Sequence, residues 1–182
     1  MKQKLQFSIL LLFINLFATA QTFDVGNLRY NIISGTNVSV QKTNTNPTGA
    51  LTIPATVVNV GVTYSVTSIS DNGFSNCPGL TSVDIPNTVT NIGINAFQFC
   101  AALTSITLPN SITSISNTLF YGCSSLTSLV IPNSVTTIGS AAFFGCSNLS
   151  SVTIPNSVTL IGFQSFVNCS SLTSLTIPNS VT

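Results

Sequence analysis

An internal repeat of 23 residues is the feature that most constrains the fold of this chain. Proline, cysteine, phenylalanine, leucine and isoleucine each recur at that interval through five successive units, as in the column formed by Cys77, Cys100, Cys123, Cys146 and Cys169. Self-similarity at a period of about 20–50 residues is typical of stacked repeats, in which each unit buries its apolar face against its neighbours. We therefore predict a repeat architecture.

The pattern within one unit predicts short strands joined by corners. Leu129 and Ile131 are two residues apart, which is the alternation of a strand, and a Pro-Asn pair follows at once from Pro132. Such a pair suits positions i+1 and i+2 of a turn. Residues 141–146, where Ala and Phe replace β-branched residues, predict a single helical turn. The fold class is therefore predicted as mainly β with short helical turns, arranged as a solenoid of 23-residue repeats.

The first twenty residues have the pattern of a secretory signal peptide. Lys2 and Lys4 precede an apolar run over residues 7–17, and Ala-Thr-Ala at 18–20 forms an A-x-A cleavage site. The run is too short to span a bilayer of about 30 Å. We predict that the mature chain begins at Gln21 and that it is secreted, either extracellular or at the cell surface. No later segment predicts a membrane span.

The chain divides into three predicted regions: a signal peptide at 1–20, an N-terminal β cap at 21–53 and the repeats at 54–182. In the cap, Gly26 and Asn27 lie between two apolar runs and predict a β-hairpin. A polar cap over the first unit is expected because solenoids need capped ends. The sequence stops at Thr182, five residues into a further unit. We therefore expect that the array is truncated at its C-terminus.

The charge content excludes most enzyme classes and nucleic-acid binding. Seven of 182 residues are charged, about 4% against about 25% in an ordinary soluble protein, and the chain has no histidine. No Asp, Glu, Lys or Arg occurs between positions 85 and 182. That stretch cannot form a carboxylate pair or a Ser-His-Asp triad, and it cannot neutralise phosphates. We predict no catalytic residue, no cofactor, no metal ligand set and no nucleic-acid partner.

The five cysteines are predicted to be buried thiols. An odd number in a secreted chain normally suggests a stray thiol, but the regular spacing makes these cysteines one stacked column. Disulfides between adjacent units are an alternative, although parallel side chains fit the bond geometry poorly. A metal site is a second alternative, although the C-x-x-C spacing of metal ligands is missing.

The outward rows of the main strand are the candidate binding face. Alternation places ten residues there, and together they make a hydroxyl-rich, nearly uncharged surface: Ser82, Asp84, Ser105, Thr107, Ser128, Val130, Ser151, Thr153, Ser174 and Thr176. Simple solvation of a repeat surface is the alternative to binding. Recognition of ice or crystalline polysaccharide by regular hydroxyl rows is a further alternative, which curvature of the face would oppose.

The repeat motif L-x-x-[VIL]-x-I-P-N-S-V-T-x-I-G-x-x-A-F-x-x-C-S-S resembles that of the BspA-like leucine-rich repeat family of bacterial surface proteins. The likeness covers residues 51–182. Two positions depart from the motif. Leu119 replaces the small residue before the recurring phenylalanine, here Phe120, and Ser70 and Ser116 replace the glycine that follows isoleucine in the motif. The resemblance implies a curved solenoid with a parallel sheet on its concave side, and adhesion to host proteins or surfaces.

We accordingly predict a secreted or cell-surface protein that mediates adhesion or protein–protein binding through the concave sheet face and is not an enzyme. Its partner would be a protein or surface ligand, such as a host extracellular protein. The alternative is a set of passive scaffold or stalk repeats in a larger surface protein, whose functional domain, enzymatic or otherwise, lies beyond Thr182.

Overall fold

A computed structural model of the chain describes residues 21–182, and the predicted signal peptide at 1–20 lies outside the described residues. This part of the chain contains fourteen β-strands joined by turns, and none of its residues is helical. Accordingly, no helix of residues 21–182 is long and apolar enough to cross a membrane. The prediction of a mainly β chain is confirmed.

A curled sheet forms the N-terminal part. Its main strands, in the spatial order β1-β2-β3-β6-β5, are β1 (Thr22–Val25), β2 (Leu28–Ser34), β3 (Asn37–Lys42), β6 (Val62–Ile69) and β5 (Thr56–Asn59). β1 and β2 form an antiparallel hairpin around Gly26, whose φ of 61° suits a tight turn. β5 and β6 form a second hairpin, and β3 pairs with β6 in parallel. The end strands β1 and β5 contact each other, so the sheet curls.

Parallel ladders make up the repeats, with a register of 23 residues except between β4 and β7, where Ala50 pairs with Ser82. The first ladder contains β4 (Gly49–Thr52), β7 (Leu80–Asp84), β9 (Ser105–Thr107), β11 (Ser128–Val130) and β13 (Ser151–Thr153). The second contains β10 (Ser114–Ile115), β12 (Thr137–Ile138) and β14 (Leu160–Ile161), while β8 (Asn91–Ile92), at the equivalent position of the preceding unit, pairs with β6 of the N-terminal sheet. Pairs such as Ser82 with Ser105 and Ile115 with Ile138 join equivalent positions of successive units. β9 and β11 are in contact without a strand ladder between them.

A stack of five phenylalanine rings runs through the core. Ring centroids are 5.7 Å apart between Phe74 and Phe97, 6.0 Å between Phe97 and Phe120, and 5.6 Å between Phe120 and Phe143. Phe166 continues the stack 5.1 Å beyond Phe143. Columns of buried leucine, isoleucine and cysteine surround these rings. Each unit therefore buries its apolar side chains against its neighbours, which is the physical basis of stability in repeat proteins.

The helical turn predicted at residues 141–146 is not observed. Alternate N–H groups of this segment donate to carbonyl oxygens one unit further along, each at 2.9 Å: Ala141 to Phe163, Phe143 to Ser165 and Gly145 to Val167. An amide hydrogen that bonds a neighbouring unit is not available for the i→i−4 bond of a helix. Ala141 also has a φ of 53°, which lies outside the right-handed helical region.

The proline corner differs from the predicted turn by one position. The carbonyl oxygen of Pro132 accepts a hydrogen bond from the N–H of Val135 at 3.0 Å. Proline therefore occupies position i and Asn133 occupies i+1, not i+1 and i+2. The same bond recurs from Val89 to Pro86 at 3.0 Å. The hydrogen bond to the proline carbonyl thus closes the turn that follows the strand.

Glycine and serine pack differently against the preceding unit at the position after isoleucine. A Cβ on Gly139 would lie 2.6 Å from the backbone nitrogen of Asn117, so no side chain fits there. Asn117 then accepts a hydrogen bond on Oδ1 from the N–H of Ser140 at 2.8 Å. At the equivalent position of the preceding unit, the hydroxyl of Ser116 donates to the carbonyl of Ile92. At this position, glycine allows close backbone contact with the preceding unit, whereas serine makes a side-chain hydrogen bond to it.

Candidate functional site

The cysteine column is confirmed as a set of buried thiols. All five cysteines are free and buried. The thiol of Cys123 donates to the carbonyl oxygen of Phe97 at 3.1 Å, and Cys146 and Cys169 make the same bond one and two units further along. Burial raises the pKa of Cys123 to about 12. These thiols are therefore poor nucleophiles, since the thiolate is the reactive form.

Cys77 differs from the rest of the column because it lies next to the N-terminal sheet. A hydrogen bond from the thiol of Cys100 and the nearby charge of Lys42 hold the pKa of Cys77 below its usual range. The Cys77 side chain is itself fully buried. Within residues 21–182, no three His, Cys, Asp or Glu side chains cluster as metal ligands would. The cysteine side chains pack in the core of the repeats.

The predicted binding residues lie on the outward side of the first ladder. They alternate along each strand with side chains that point into the core, such as Val83, Ile106 and Leu129. Eight of the ten lie on β7, β9, β11 and β13, while Ser174 and Thr176 lie in the last segment, outside the assigned strands. Nine of the ten are exposed, and Ser82 is half-buried.

Strand pairing brings these residues into two rows, which we call the hydroxyl face. Ser128 pairs with Ser151, and Val130 pairs with Thr153. On the other sheet, Ser82 and Asp84 of β7 pair with the equivalent serine and threonine of β9. Ser174 and Thr176 border a shallow depression of about 270 Å³ beside β13. The hydroxyl face is therefore an ordered array, with equivalent side chains one strand spacing, about 4.8 Å, apart.

The hydroxyls of this face are free to bond a partner. Several hydroxyls elsewhere in the repeats donate to carbonyl oxygens of the preceding unit, as from Thr104 to Thr81 at 3.0 Å and from Ser157 to Val135 at 2.7 Å. Others, such as the buried hydroxyl of Ser134, have no partner. Within the described part of the chain, the serine and threonine hydroxyls of the hydroxyl face make no hydrogen bond. Each hydroxyl thus retains one donor and two acceptor lone pairs for a ligand.

Strand β4 adds two residues that sequence reasoning did not place on this face. Ala50 pairs with Ser82, Thr52 pairs with Asp84, and both Ala50 and Thr52 are exposed. These residues fall within the range 21–53 that was predicted as a cap. The signal that could have found them is the sequence Leu-Thr-Ile-Pro at 51–54, which has the same pattern as Val-Asp-Ile-Pro at 83–86.

The face is electrostatically almost neutral. Asp84 is its one charged residue, and it lies towards the N-terminal end of the array. Val130, near the centre, is 78% exposed and provides an apolar contact among the hydroxyls. A surface of this kind offers a ligand hydrogen bonds and shape, and it lacks the charge that steers association over long distances.

Comparison with known proteins identifies the repeat. The family model described as "BspA type Leucine rich repeat region" matches residues 67–182 in six copies. A leucine-rich repeat protein from Bacteroides ovatus is 33% identical, with a TM-score of 0.80 over 87% of this chain and 42% of its own. The Treponema pallidum leucine-rich repeat protein, TpLRR, is 28% identical, with a TM-score of 0.76 over 87% of this chain and 72% of its own. The comparison with curated proteins found no match.

The present chain spans less than half the length of the Bacteroides ovatus protein. A leucine-rich repeat protein from Bacteroides capillosus is 28% identical, with a TM-score of 0.64 over 72% of this chain and 96% of its own. These similarities confirm the resemblance drawn from the motif. Because the family match extends over most of the described residues, this protein belongs to the BspA-type leucine-rich repeat family.

Proposed function

We propose that this protein mediates adhesion or protein binding through the hydroxyl face, which the family resemblance assigns to the concave side. The supporting observation is that the hydroxyls of this face stand in rows, are mostly exposed, and make no hydrogen bond within residues 21–182. A partner that supplies donors and acceptors at matching spacing would replace their bonds to water without breaking bonds within the protein. No residue is proposed as catalytic.

The size of the face predicts modest affinity for a single chain. The five strands of the first ladder are three to five residues long, and at a spacing of about 4.8 Å they present on the order of 300 Å². A standard interface takes about 800 Å² from each partner. Display of many copies on a surface, or a longer array of repeats, would raise the avidity without new contacts.

Three lysines on the hydroxyl face test this proposal. Thr107→Lys, Val130→Lys and Thr153→Lys, made together, place three charges and three long side chains across the centre of the array. We expect the purified variant to lose attachment to a surface coated with extracellular-matrix extract, because charged groups there would be desolvated without partners. The attachment is measured by the bound fraction of labelled protein.

The matched control carries the same three charges outside the first ladder: Ala101→Lys, Thr113→Lys and Ser140→Lys. These residues are also exposed, and within residues 21–182 their side chains make no hydrogen bond. We expect this variant to attach as the unmodified protein does. Equal attachment by all three proteins would contradict the proposal and favour the second function, a passive scaffold or stalk within a larger surface protein. That alternative is supported by the coverage of 42% of the Bacteroides ovatus protein.

We also propose the organisation on which secretion and solubility depend. Residues 1–20 would direct export and be removed before Gln21, so that the protein is extracellular or at the cell surface. N-terminal sequencing of the secreted protein should then begin at Gln21, and a sequence beginning at Met1 would contradict removal.

Residues 21–53 would form a cap on a solenoid of repeats at 54–182. This is supported by the parallel pairing of Val40 with Ile69, since both side chains are buried. A chain without the cap should aggregate, because it exposes the edge of β6 and the core beneath it. A soluble, folded product would contradict the cap.

A further inference from the structure

Both rows of strands in the repeats are interrupted at the same level of the stack. β9 does not pair with β11, and β8 pairs with β6 but not with β10. Within residues 21–182, no sheet therefore contains strands from both β1–β9 and β10–β14. The two sides of this interruption are residues 90–107 and residues 113–130, which lie one turn of the stack apart. We call the contact between them the seam.

Backbone hydrogen bonds that recur between other units are missing at the seam. The N–H of Thr136 donates to the carbonyl oxygen of Thr113 at 2.9 Å, but the N–H of Thr113 makes no backbone hydrogen bond within residues 21–182. On the side of the first ladder, the N–H of Ser150 donates to Thr127 at 2.9 Å, and the N–H of Thr127 likewise has no such bond. The interruption therefore extends along both sides of the solenoid.

The turn segments hold the two sides of the seam together. The N–H of Asn95 donates to the carbonyl oxygen of Asn117 at 3.3 Å, and that of Phe97 donates to Leu119 at 3.1 Å. The equivalent bonds between other units measure 2.8–2.9 Å. The ring centroids of Phe97 and Phe120 are 6.0 Å apart, which is the largest separation in the phenylalanine stack. The units are therefore further apart at the seam, and the turn segments are its connected side.

Ser116 explains the missing bonds on the side of the second ladder. The equivalent residue Gly139 donates its N–H to Ile115 at 2.8 Å, and a Cβ there would lie 2.6 Å from the backbone nitrogen of Asn117. Ser116 carries that Cβ, so its unit cannot approach the preceding one as closely. Its N–H makes no backbone hydrogen bond within residues 21–182, and its hydroxyl reaches the carbonyl oxygen of Ile92 instead.

Two buried side chains of the same unit add to the separation. Ile112 stands where the other units have valine, and Leu119 stands where both adjacent units have alanine. Extra methylene groups in a packed core displace the backbone around them. The hydroxyl of Ser134, one unit beyond Ile112, is buried without a partner, whereas the equivalent hydroxyl of Ser157 donates to Val135 at 2.7 Å. The sequence of this one unit therefore accounts for the seam.

We propose that the seam is a hinge, at which residues 21–107 and 114–182 tilt relative to each other about the turn segments. Opening there breaks no strand ladder, so it needs less free energy than opening between other units. Because the first ladder is interrupted between Thr107 and Val130, the tilt bends the hydroxyl face at its centre. The hinge does not depend on the proposed binding function. If the face binds, the bend lets it fit partner surfaces of different curvature.

Amide hydrogen exchange followed by nuclear magnetic resonance tests the hinge. The N–H groups of Thr113 and Thr127 should exchange at least about tenfold faster than those of Thr136 and Ser150. Ser116→Gly restores the residue of the adjacent units and should slow exchange at Thr113 at least about fivefold. Equal rates at the seam and elsewhere, or no slowing in Ser116→Gly, would overturn the proposal.

The matched control is Ser70→Gly, which makes the same substitution at the N-terminal sheet. The N–H of Ser70 already donates to Val40 at 3.0 Å, so no missing bond is restored there. Exchange at Thr113 should therefore stay within about twofold of its original rate. Slowing of the same size in Ser70→Gly would also overturn the proposal, because the effect would not come from the seam.

Paired spin labels measure the bend itself. Thr107→Cys with Thr153→Cys places labels two strands apart across the seam, whereas Thr52→Cys with Thr107→Cys places them two strands apart on one side of it. These threonines are exposed and the native cysteines are buried, so the introduced thiols take the label. The distance distribution should be broader for the pair across the seam, and Ser116→Gly should narrow it. Equal widths for the two pairs would refute a hinge at this position, and this comparison does not require that Ser116→Gly folds.

Discussion

Truncation of the central ring of the core stack tests whether the units stabilise one another. Phe120 is fully buried and lies between Phe97 and Phe143, at centroid distances of 6.0 Å and 5.6 Å. Phe120→Ala removes a ring that two neighbouring units share. Phe166 is half-buried and stacks on Phe143 from one side, at 5.1 Å. Phe166→Ala is therefore the matched comparison at the end of the stack.

The two losses in free energy of unfolding should differ by about a factor of two. Phe→Ala in a packed core costs about 3–5 kcal/mol, which combines lost burial with the cavity that remains. Phe120→Ala should lie near the upper end of that range, because stacked pairs contribute about 0.5–1.5 kcal/mol each beyond burial and two pairs are lost. Phe166→Ala should cost about 1.5–2.5 kcal/mol, since part of the ring is already in water.

Urea denaturation followed by circular dichroism measures both losses. Phe120→Ala should also broaden the transition or divide it in two, because the central contact couples the units on either side. Phe163→Ala, at a ring that is 76% exposed, should change the free energy of unfolding by less than about 0.5 kcal/mol. Equal losses at Phe120 and Phe166, or a loss at Phe120 below about 1 kcal/mol, would refute a core shared between units.

Three further outcomes are expected. Because burial raises the pKa of Cys123 from 9.0 to about 12, the unfolded chain loses this proton at lower pH than the folded chain does. The free energy of unfolding should therefore fall as the pH rises from 9 towards 12, and urea titration should show a smaller fall in Cys123→Ala. Ala141→Asn should raise the free energy of unfolding by about 0.5–1 kcal/mol, because asparagine tolerates a φ of 53° better than alanine. Ala142→Asn, at a fully buried neighbour, should lower it by more than about 2 kcal/mol, and the same sign for both variants would contradict the reasoning. Attachment through the hydroxyl face should change by less than about twofold when salt is raised, since Asp84 is its one charge; a tenfold loss in a binding assay would indicate an electrostatic interface.

The stacking register could be predicted from the sequence because every unit has the same length. Once the period is known, Phe97 must lie next to Phe120, and Ser105 must lie next to Ser82, whatever the detailed path of the chain. Alternation within the strand then predicted the outward direction of Thr107, which is exposed. The same reasoning located the buried cysteines and the direction of the candidate face.

The path of the chain between the strands was decided by hydrogen bonds between neighbouring units, which the sequence of one unit does not reveal. Local propensity predicted a helical turn from Ala141, but the N–H groups there bond carbonyl oxygens of the next unit. The contact between Phe99 and Tyr121 also could not be predicted from the repeat columns, because Phe99 is equivalent to Gly122 and not to Tyr121. The 23-residue period determined which units meet and which side chains stack. The partner of each backbone hydrogen bond in the turns was decided by the tertiary structure, because donors and acceptors of the same unit compete with those of its neighbour for the same bond.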